Sequence, residues 1–317
     1  MNIVFSTKPS EKHQTYLTEK FSKPDFYFYE KMDMAQAALP DAEVLVTYGG
    51  DLTPELIRKS KKLKWIMLLS AGMDDMPLNE IEEAGILMTN VRGIHKTPMS
   101  EYAISMLLQV YRQAKAMMKN QENHVWNKKL HMQEISGSTM VVVGAGAIGQ
   151  EVARLAKAFG MKTIGVSRSG RNVAYFDQNE KVENLKDVLP QADFIVSVLP
   201  STNETRYLYT MEHFKLMPDH AVFLNMGRGD VVSTDVLLEA IRNQEIAHAV
   251  LDVFETEPLP ADSPLWDEEN ITVTPHISGL SPLYMSRGLE IFSQNLEAYL
   301  SAKIEDMQNR INVSQGY

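Results

Sequence analysis

Three charged side chains in the last third of the chain stand in segments whose neighbours are small, rigid or apolar. Arg228 lies between two glycines in Phe223-Leu224-Asn225-Met226-Gly227-Arg228-Gly229. Glu257 precedes a proline in Leu251-Asp252-Val253-Phe254-Glu255-Thr256-Glu257-Pro258, and His276 follows one in Val273-Thr274-Pro275-His276-Ile277-Ser278-Gly279. Each segment leaves a short apolar run that reads as a strand, so each charge falls at a carboxyl end, where open α/β sheets place their ligands. A guanidinium, a carboxylate and an imidazole are the groups required to anchor an anion and pass a proton near neutral pH. Taken singly they admit plainer roles: a loop arginine, a solvated glutamate, a core histidine. Their weight comes from occurring together, in order, downstream of a second motif.

That motif begins where Met140-Val141-Val142-Val143 runs into Gly144-Ala145-Gly146-Ala147-Ile148-Gly149. A Gly-x-Gly-x-x-Gly pattern is weak alone, but here it follows a buried strand and opens a helix over Gln150–Phe159, closed by Gly160, with the next strand at Thr163–Val166. Gly144 permits the tight turn, Gly146 lets backbone approach a pyrophosphate, and Gly149 lets helix pack on strand; Ala147 and Ile148 complete the phosphate-facing turn. The free N–H groups of a helix start then face the phosphates. NAD-dependent enzymes place Asp or Glu about 20 residues beyond the glycines to hold the ribose hydroxyls. This chain has Ser167-Arg168-Ser169-Gly170-Arg171 there, and no carboxylate before Asp177. A guanidinium can grip a 2′-phosphate that a carboxylate would repel. The sequence therefore predicts NADP(H) as preferred cofactor and NAD(H) as the alternative, against the plainer reading of a solvated basic loop.

The surrounding elements must hold these residues in place. Ile3–Phe5, Phe26–Tyr29, Val44–Thr47, Trp65–Leu69 and Ile86–Asn90 read as strands alternating with helices, the pattern of parallel β-α-β winding. Apolar positions Ala103, Met106, Leu107, Val110, Ala114 and Met117 keep a three-or-four spacing that predicts one long helix over about 99–127, read as a bridge between domains. Further strands are expected at Met140–Val143, Thr163–Val166, Phe194–Val198, Ala221–Asn225, Ala249–Val253 and Ile271–Thr274, near-continuous apolar runs suited to a sheet covered on both faces. An amphipathic stretch over 282–302 closes the pattern.

At 317 residues, with 44% hydrophobic and 23% charged residues, the chain has material for two cores. A net charge of −10 argues against a nucleic-acid or anionic-membrane surface. The absence of cysteine removes disulfides, thiolate chemistry and Cys-ligated zinc. No His/Asp/Glu cluster has a convincing metal spacing, so no metal is expected. The N-terminus makes a poor signal peptide and no apolar run reaches a membrane span, so a cytoplasmic protein is expected.

Taken together, these segments resemble the D-isomer-specific 2-hydroxyacid dehydrogenase family, whose members include glyoxylate/hydroxypyruvate reductases and phosphoglycerate dehydrogenases. The resemblance rests on Leu69-Ser70-Ala71-Gly72-Met73-Asp74, Asn90 through Glu101, the glycine turn, Val198-Leu199-Pro200, Asn225 to Gly229, Leu251 to Pro258 and Thr274-Pro275-His276. The Ser-Arg-Ser loop looks like that of the NADPH-preferring reductases. The resemblance implies a Rossmann dinucleotide-binding domain, about 100–282, inserted into a flavodoxin-like substrate domain made of 1–99 and 283–317, with the active site in the cleft between them. It also implies a homodimer formed through the inserted domain and the long helices before it, where Trp126 sits.

Reducing a 2-keto acid needs a carboxylate anchor, a proton for the developing alkoxide, and a hydride. Arg228 suits the first and polarises the carbonyl, a role in which lysine lacks the planar fork. His276 suits the second, with Glu257 orienting its ring. The resemblance adds backbone amides near Ala71, Gly72 and Met73 on the substrate carboxylate, Leu199 and Pro200 beside the adenosine, Met226 and Asp252 near the nicotinamide, and Ser278 and Thr205 as further cofactor contacts. Asp252 could instead be purely structural. Arg92, His95 and Lys96 fall where the family varies; Arg92 or Lys96 could recognise a second anionic group of the substrate, but all three read more simply as solvated or helix-contact residues. The expected substrate is a small 2-keto acid such as glyoxylate or hydroxypyruvate. The rivals are an NAD-linked phosphoglycerate-type dehydrogenase, a formate dehydrogenase, against which Glu257-Pro258 in place of Gln-Pro argues, and a non-enzymatic NAD(P)H-sensing corepressor.

Overall fold

A computed structural model describes residues 1–70, 73 and 76–312. The chain divides into two compact units, one made of Met1–Ile94 with the segment from Ser281 onward, the other of His95–Leu280. The second is thus inserted in the sequence of the first.

In the first unit, strands β1 (Asn2–Phe5), β2 (Asp25–Phe28), β3 (Val44–Thr47), β4 (Trp65–Leu68) and β5 (Leu87–Asn90) form a parallel sheet in the order β2-β1-β3-β4-β5, the flavodoxin-like order. Every residue of β3 and β4 is buried, which explains why these strands read as unbroken apolar runs. Successive side chains go to opposite faces. Phe5, Val46, Trp65 and Met67 meet Leu289, Phe292 and Leu296 of the helix Tyr284–Leu300, while Val4, Leu45, Ile66 and Leu68 meet Met32, Ile57 and Ile81. Burying each such side chain contributes roughly 1.5–3 kcal/mol.

The second unit holds seven parallel strands: β6 (Thr139–Val143), β7 (Lys162–Ser167), β8 (Gln178–Lys181), β9 (Phe194–Ser197), β10 (Val222–Asn225), β11 (His248–Leu251) and β12 (Ile271–Val273), in the order β12-β11-β10-β9-β6-β7-β8. The chain winds outward from β6 to β8, then returns to β9 on the other side of β6. The carboxyl ends of β6 and β9 therefore flank a topological switch point, where sheets of this kind open a crevice for ligands. Met140, Val142, Val196, Leu224 and Val250 pack with Ala103, Leu107 and Tyr111 of the helix Lys96–Tyr111 and with Val152 and Ala156 of the helix Ala147–Ala158. Val141, Val143, Ile195, Phe223 and Leu251 fill the other face.

The structure departs from the sequence-based expectations at several points. The single helix over 99–127 is two helices, Lys96–Tyr111 and Ala114–Glu122, both within the second unit, broken where Gln113 turns left-handed at φ 56°. The three-or-four spacing carries on across the break, and neither Gly nor Pro marks it. The first helix also begins before Met99, because Pro98 sits in its first turn, where a missing N–H costs nothing. Val125 to Asn127 lie beyond the second helix, in irregular chain. The helix after the glycine turn starts at Ala147 rather than Gln150, so Gly149 lies within its first turn. Strand β8, Gln178-Asn179-Glu180-Lys181, was not expected at all: it is an edge strand with no buried residue and no apolar pattern.

Candidate functional site

The glycine turn leaves β6 with Gly144 at φ 111°, and the N–H groups of Gly144 and Ala145 donate to the carbonyl of Val166 at 2.9 and 3.2 Å. These bonds tie the turn to β7 just before Ser167. A Cβ on Gly149 would stand 2.2 Å from the Gly144 carbonyl oxygen, so only glycine allows the helix to sit this close. At Gly146 nothing lies within 4 Å of the position a Cβ would take. Gly146 caps the helix Ala147–Ala158 without any side-chain bond to its first N–H groups. Gly146 and Ala147 are exposed and Ile148 is half-buried. Open space beside uncapped amides at the switch point fits a dinucleotide pyrophosphate.

Around this turn, Ser167 ends β7 and accepts a hydrogen bond from Gly170 N–H at 3.1 Å; Arg168 and Ser169 are exposed just beyond it. Leu199 is buried after β9 and Pro200 is exposed. The Thr205 hydroxyl donates to the Pro200 carbonyl at 2.6 Å, so it shapes the loop that carries Pro200. Met226 is buried in the core cluster beneath β10.

Strands β10, β11 and β12 are neighbours, and their carboxyl ends carry Arg228, Glu257 and His276. Buried Asn225 shapes the Arg228 loop: its amide nitrogen donates to the Arg228 carbonyl at 2.9 Å and its amide oxygen accepts from Gly227 N–H at 3.2 Å. A Cβ on Gly229 would come within 1.9 Å of the Phe254 backbone. The glycine beside Arg228 is thus a seat for the next loop, the one that carries Glu257. Glu257 accepts from Phe254 N–H at 3.0 Å through Oε1, and its Oε2 stands 2.7 Å from His276 Nδ1. His276 is exposed, with backbone in the left-handed region at φ 53°. With Nδ1 engaged by Glu257, Nε2 is the ring atom able to reach a ligand.

The fully buried Asp252 holds the His276 loop. Its Oδ1 accepts from the Thr274 hydroxyl at 2.6 Å and from Ile277 N–H at 2.9 Å, its Oδ2 from Ser278 N–H at 2.9 Å, and its backbone carbonyl from His276 N–H at 2.9 Å. Buried Ser278 enters the site through that backbone bond. Sequence reasoning gave Asp252 as a cofactor neighbour or a structural residue; the bonds present are those of a loop anchor. It passed over Asn225, Thr274 and Tyr102, whose signal was only their place beside the motif residues. His95 is half-buried, and its ring comes within 3.0 Å of the position a Gly279 Cβ would take. Burial, and then the Arg228 guanidinium, push its imidazole below the usual histidine range.

Of the residues expected on the substrate carboxylate, Ala71 and Gly72 lie outside the described residues. Met73 is half-buried against the core of the first unit. Among the described residues no group of three or more His, Asp or Glu is placed to hold a metal ion, and no helix is long and apolar enough to cross a membrane.

A family model described as D-isomer specific 2-hydroxyacid dehydrogenase, NAD binding domain, matches residues 104–278. The chain is 30% identical over 313 residues to a glyoxylate reductase of Thermococcus litoralis, covering 95% of this chain and 94% of that one. It is 32% identical over 284 residues to a D-3-phosphoglycerate dehydrogenase of Methanocaldococcus jannaschii, covering 87% of this chain but spanning only 53% of that longer protein. Among solved structures, a D-isomer specific 2-hydroxyacid dehydrogenase family protein from Aeromonas salmonicida superposes with a TM-score of 0.88 at 34% identity, covering 98% of this chain and 99% of that one. The NADPH-dependent glyoxylate/hydroxypyruvate reductase of Sinorhizobium meliloti, solved with NADP and sulfate, superposes with a TM-score of 0.82 at 25% identity, covering 100% and 99%.

Proposed function

Because the chain belongs to the D-isomer specific 2-hydroxyacid dehydrogenase family, we propose that it reduces a small 2-keto acid, glyoxylate or hydroxypyruvate, to the D-2-hydroxy acid with NADPH. The observation that carries the reading is the His276 Nδ1–Glu257 Oε2 contact of 2.7 Å, which presents Nε2 as a proton donor beside the loop of Arg228. A reduced nicotinamide dinucleotide, its pyrophosphate held by the glycine turn, would supply the hydride to the carbonyl carbon when bound. Arg228 binds the substrate carboxylate and carbonyl oxygen, and its charge offsets the negative charge that gathers on that oxygen. His276 delivers its proton to the same oxygen from Nε2, while Glu257 fixes the ring and balances its positive form. Gly144, Gly146, Ala147, Ile148 and Gly149 hold the pyrophosphate, and Ser167, Arg168 and Ser169 the 2′-phosphate. Leu199, Pro200, Thr205, Met226, Asp252 and Ser278 line or support the cofactor's path.

A panel of NADPH oxidation across glyoxylate, hydroxypyruvate, pyruvate and branched 2-keto acids, with 3-phosphohydroxypyruvate and NADH added, tests the reading directly. The expected result is highest kcat/KM on glyoxylate or hydroxypyruvate with NADPH. Preference for the phosphorylated acid with NADH would replace it with the phosphoglycerate-type reading. Slow turnover on every acid would favour a nucleotide-sensing protein.

We also propose a homodimer. Met117, Met118, Val125, Trp126 and Met132 are all exposed in the second unit, Trp126 to 89%. Apolar strips of this kind on a globular surface mark contact sites, and a second copy of the chain is the occupant that the family resemblance favours. Light scattering should give twice the chain mass for the wild type and a shift toward the monomer for Trp126→Glu. A monomeric wild type at micromolar concentration overturns this.

A further inference from the structure

Tyr102 lies on the helix Lys96–Tyr111, far in sequence from the catalytic segments, yet its phenol oxygen stands 2.7 Å from the Thr274 hydroxyl. Thr274 in turn donates to Asp252 Oδ1 at 2.6 Å. A hydroxyl whose proton is committed to a carboxylate can only accept from its other neighbour, so the direction of the chain is fixed: Tyr102 O–H to Thr274 Oγ1, Thr274 O–H to Asp252. We propose that Tyr102 is a positioning residue for His276, acting through Thr274 and Asp252. This rests on the reading of His276 as proton donor.

The loop geometry gives the reason such a device is needed. His276 occupies left-handed backbone, an uncommon state for a residue with a side chain. Its backbone N–H and those of the next two residues are gathered by Asp252, through the backbone carbonyl for His276 and through the carboxylate for Ile277 and Ser278. Asp252 therefore sets where the imidazole stands, and Thr274 is the side chain that fixes the carboxylate's own orientation. The Thr274 hydroxyl can rotate about its Cα–Cβ bond; the Tyr102 phenol removes that freedom by claiming its lone pair. Burial pushes the Tyr102 phenol well above the ordinary tyrosine range, so it remains a donor throughout the working pH range. Tyr102 is held in turn by a helix that packs on the helix of the glycine turn, which links the framework of the cofactor site to the seat of the proton donor.

The test is a double-mutant cycle of Tyr102→Phe and Thr274→Val in the full-length protein with NADPH and the best 2-keto acid. For Tyr102→Phe, kcat is expected to fall about tenfold with KM within about twofold, since misplacing a proton donor slows chemistry more than binding. In the Thr274→Val background the same change is expected to cost nothing further, and Thr274→Ser, which keeps the hydroxyl, should retain the effect of Tyr102. Additive losses, an unchanged kcat in Tyr102→Phe, or a parallel drop in Tm with a rise in KM would each show a packing role and overturn the proposal. Should Thr274→Val fail to fold, the Thr274→Ser and Tyr102→Phe pair still decides, because a Tyr102→Phe enzyme with normal kcat sinks the idea alone. A wild type that reduces no 2-keto acid overturns the functional reading and this inference with it, whereas an active wild type with additive losses overturns only the inference.

Discussion

Replacing His276 by alanine is expected to lower kcat for 2-keto acid reduction by about 10²–10⁴-fold, the contribution of a positioned general acid, with NADPH affinity unchanged. The ring is exposed, and its one side-chain partner among the described residues is Glu257, so the loss cannot be assigned to a collapsed core. Backbone strain is the competing explanation. His276 is left-handed at φ 53°, and alanine tolerates that region less well than histidine or asparagine does. His276→Asn separates the two, since asparagine accepts the backbone but carries no imidazole. Equal, large losses in both variants support proton transfer. Near-normal turnover in His276→Asn at neutral pH would mean that the loop's shape matters and the imidazole does not.

The division between what could be read from the sequence and what could not follows from the physics of each feature. Strands such as Val44–Thr47 and Phe194–Ser197 are legible because burial on both faces demands continuous apolar runs. The glycine turn is legible because close approach, as at Gly149, permits no other residue. Charged groups at strand ends are legible because little else brings Arg, Glu and His into glycine- and proline-flanked segments. By contrast, the left-handed break at Gln113 leaves no trace, since the apolar spacing continues across it. Edge strand β8 has no buried face to impose a pattern. Hidden too are the residues that hold the chemistry in place: Asn225 under Arg228, Thr274 and Tyr102 behind Asp252. Each acts through one or two hydrogen bonds, local for Asn225 and across 22 and 172 residues for Thr274 and Tyr102, and a single Asn, Thr or Tyr is too common to stand out. The seat of Gly229 on Phe254 is a related case. Its sequence signature, a glycine after Arg228, was visible, but the reason for it lies in the neighbouring loop.

Arg168→Asp is expected to lower kcat/KM with NADPH on the order of a hundredfold and to bring NADH to equality or better. The turn is bonded to Val166 O, two residues before Arg168, so on the proposed reading the guanidinium starts close to where the adenosine ribose of a bound dinucleotide would lie. Arg168 is exposed, and an exposed guanidinium gains little from an ordinary carboxylate partner. A 2′-phosphate carries close to two charges and several acceptor oxygens, which is why the expected effect is large for so open a site. The carboxylate next in the chain cannot substitute for an NAD-selective acid. Asp177 is held by Lys157 at 2.5 Å and by Thr163 N–H at 2.9 Å, bonds that keep its carboxyl below the usual range and place it near the start of β7, at the end away from Arg168. Salt gives an independent reading of the same contact. Raising ionic strength should increase KM for NADPH in the wild type while leaving KM for NADH nearly constant, and Arg168→Asp should abolish the difference. A wild type that uses NADH as well as NADPH, or an Arg168→Asp variant with an unchanged cofactor ratio, would return this loop to the role of a solvated basic turn.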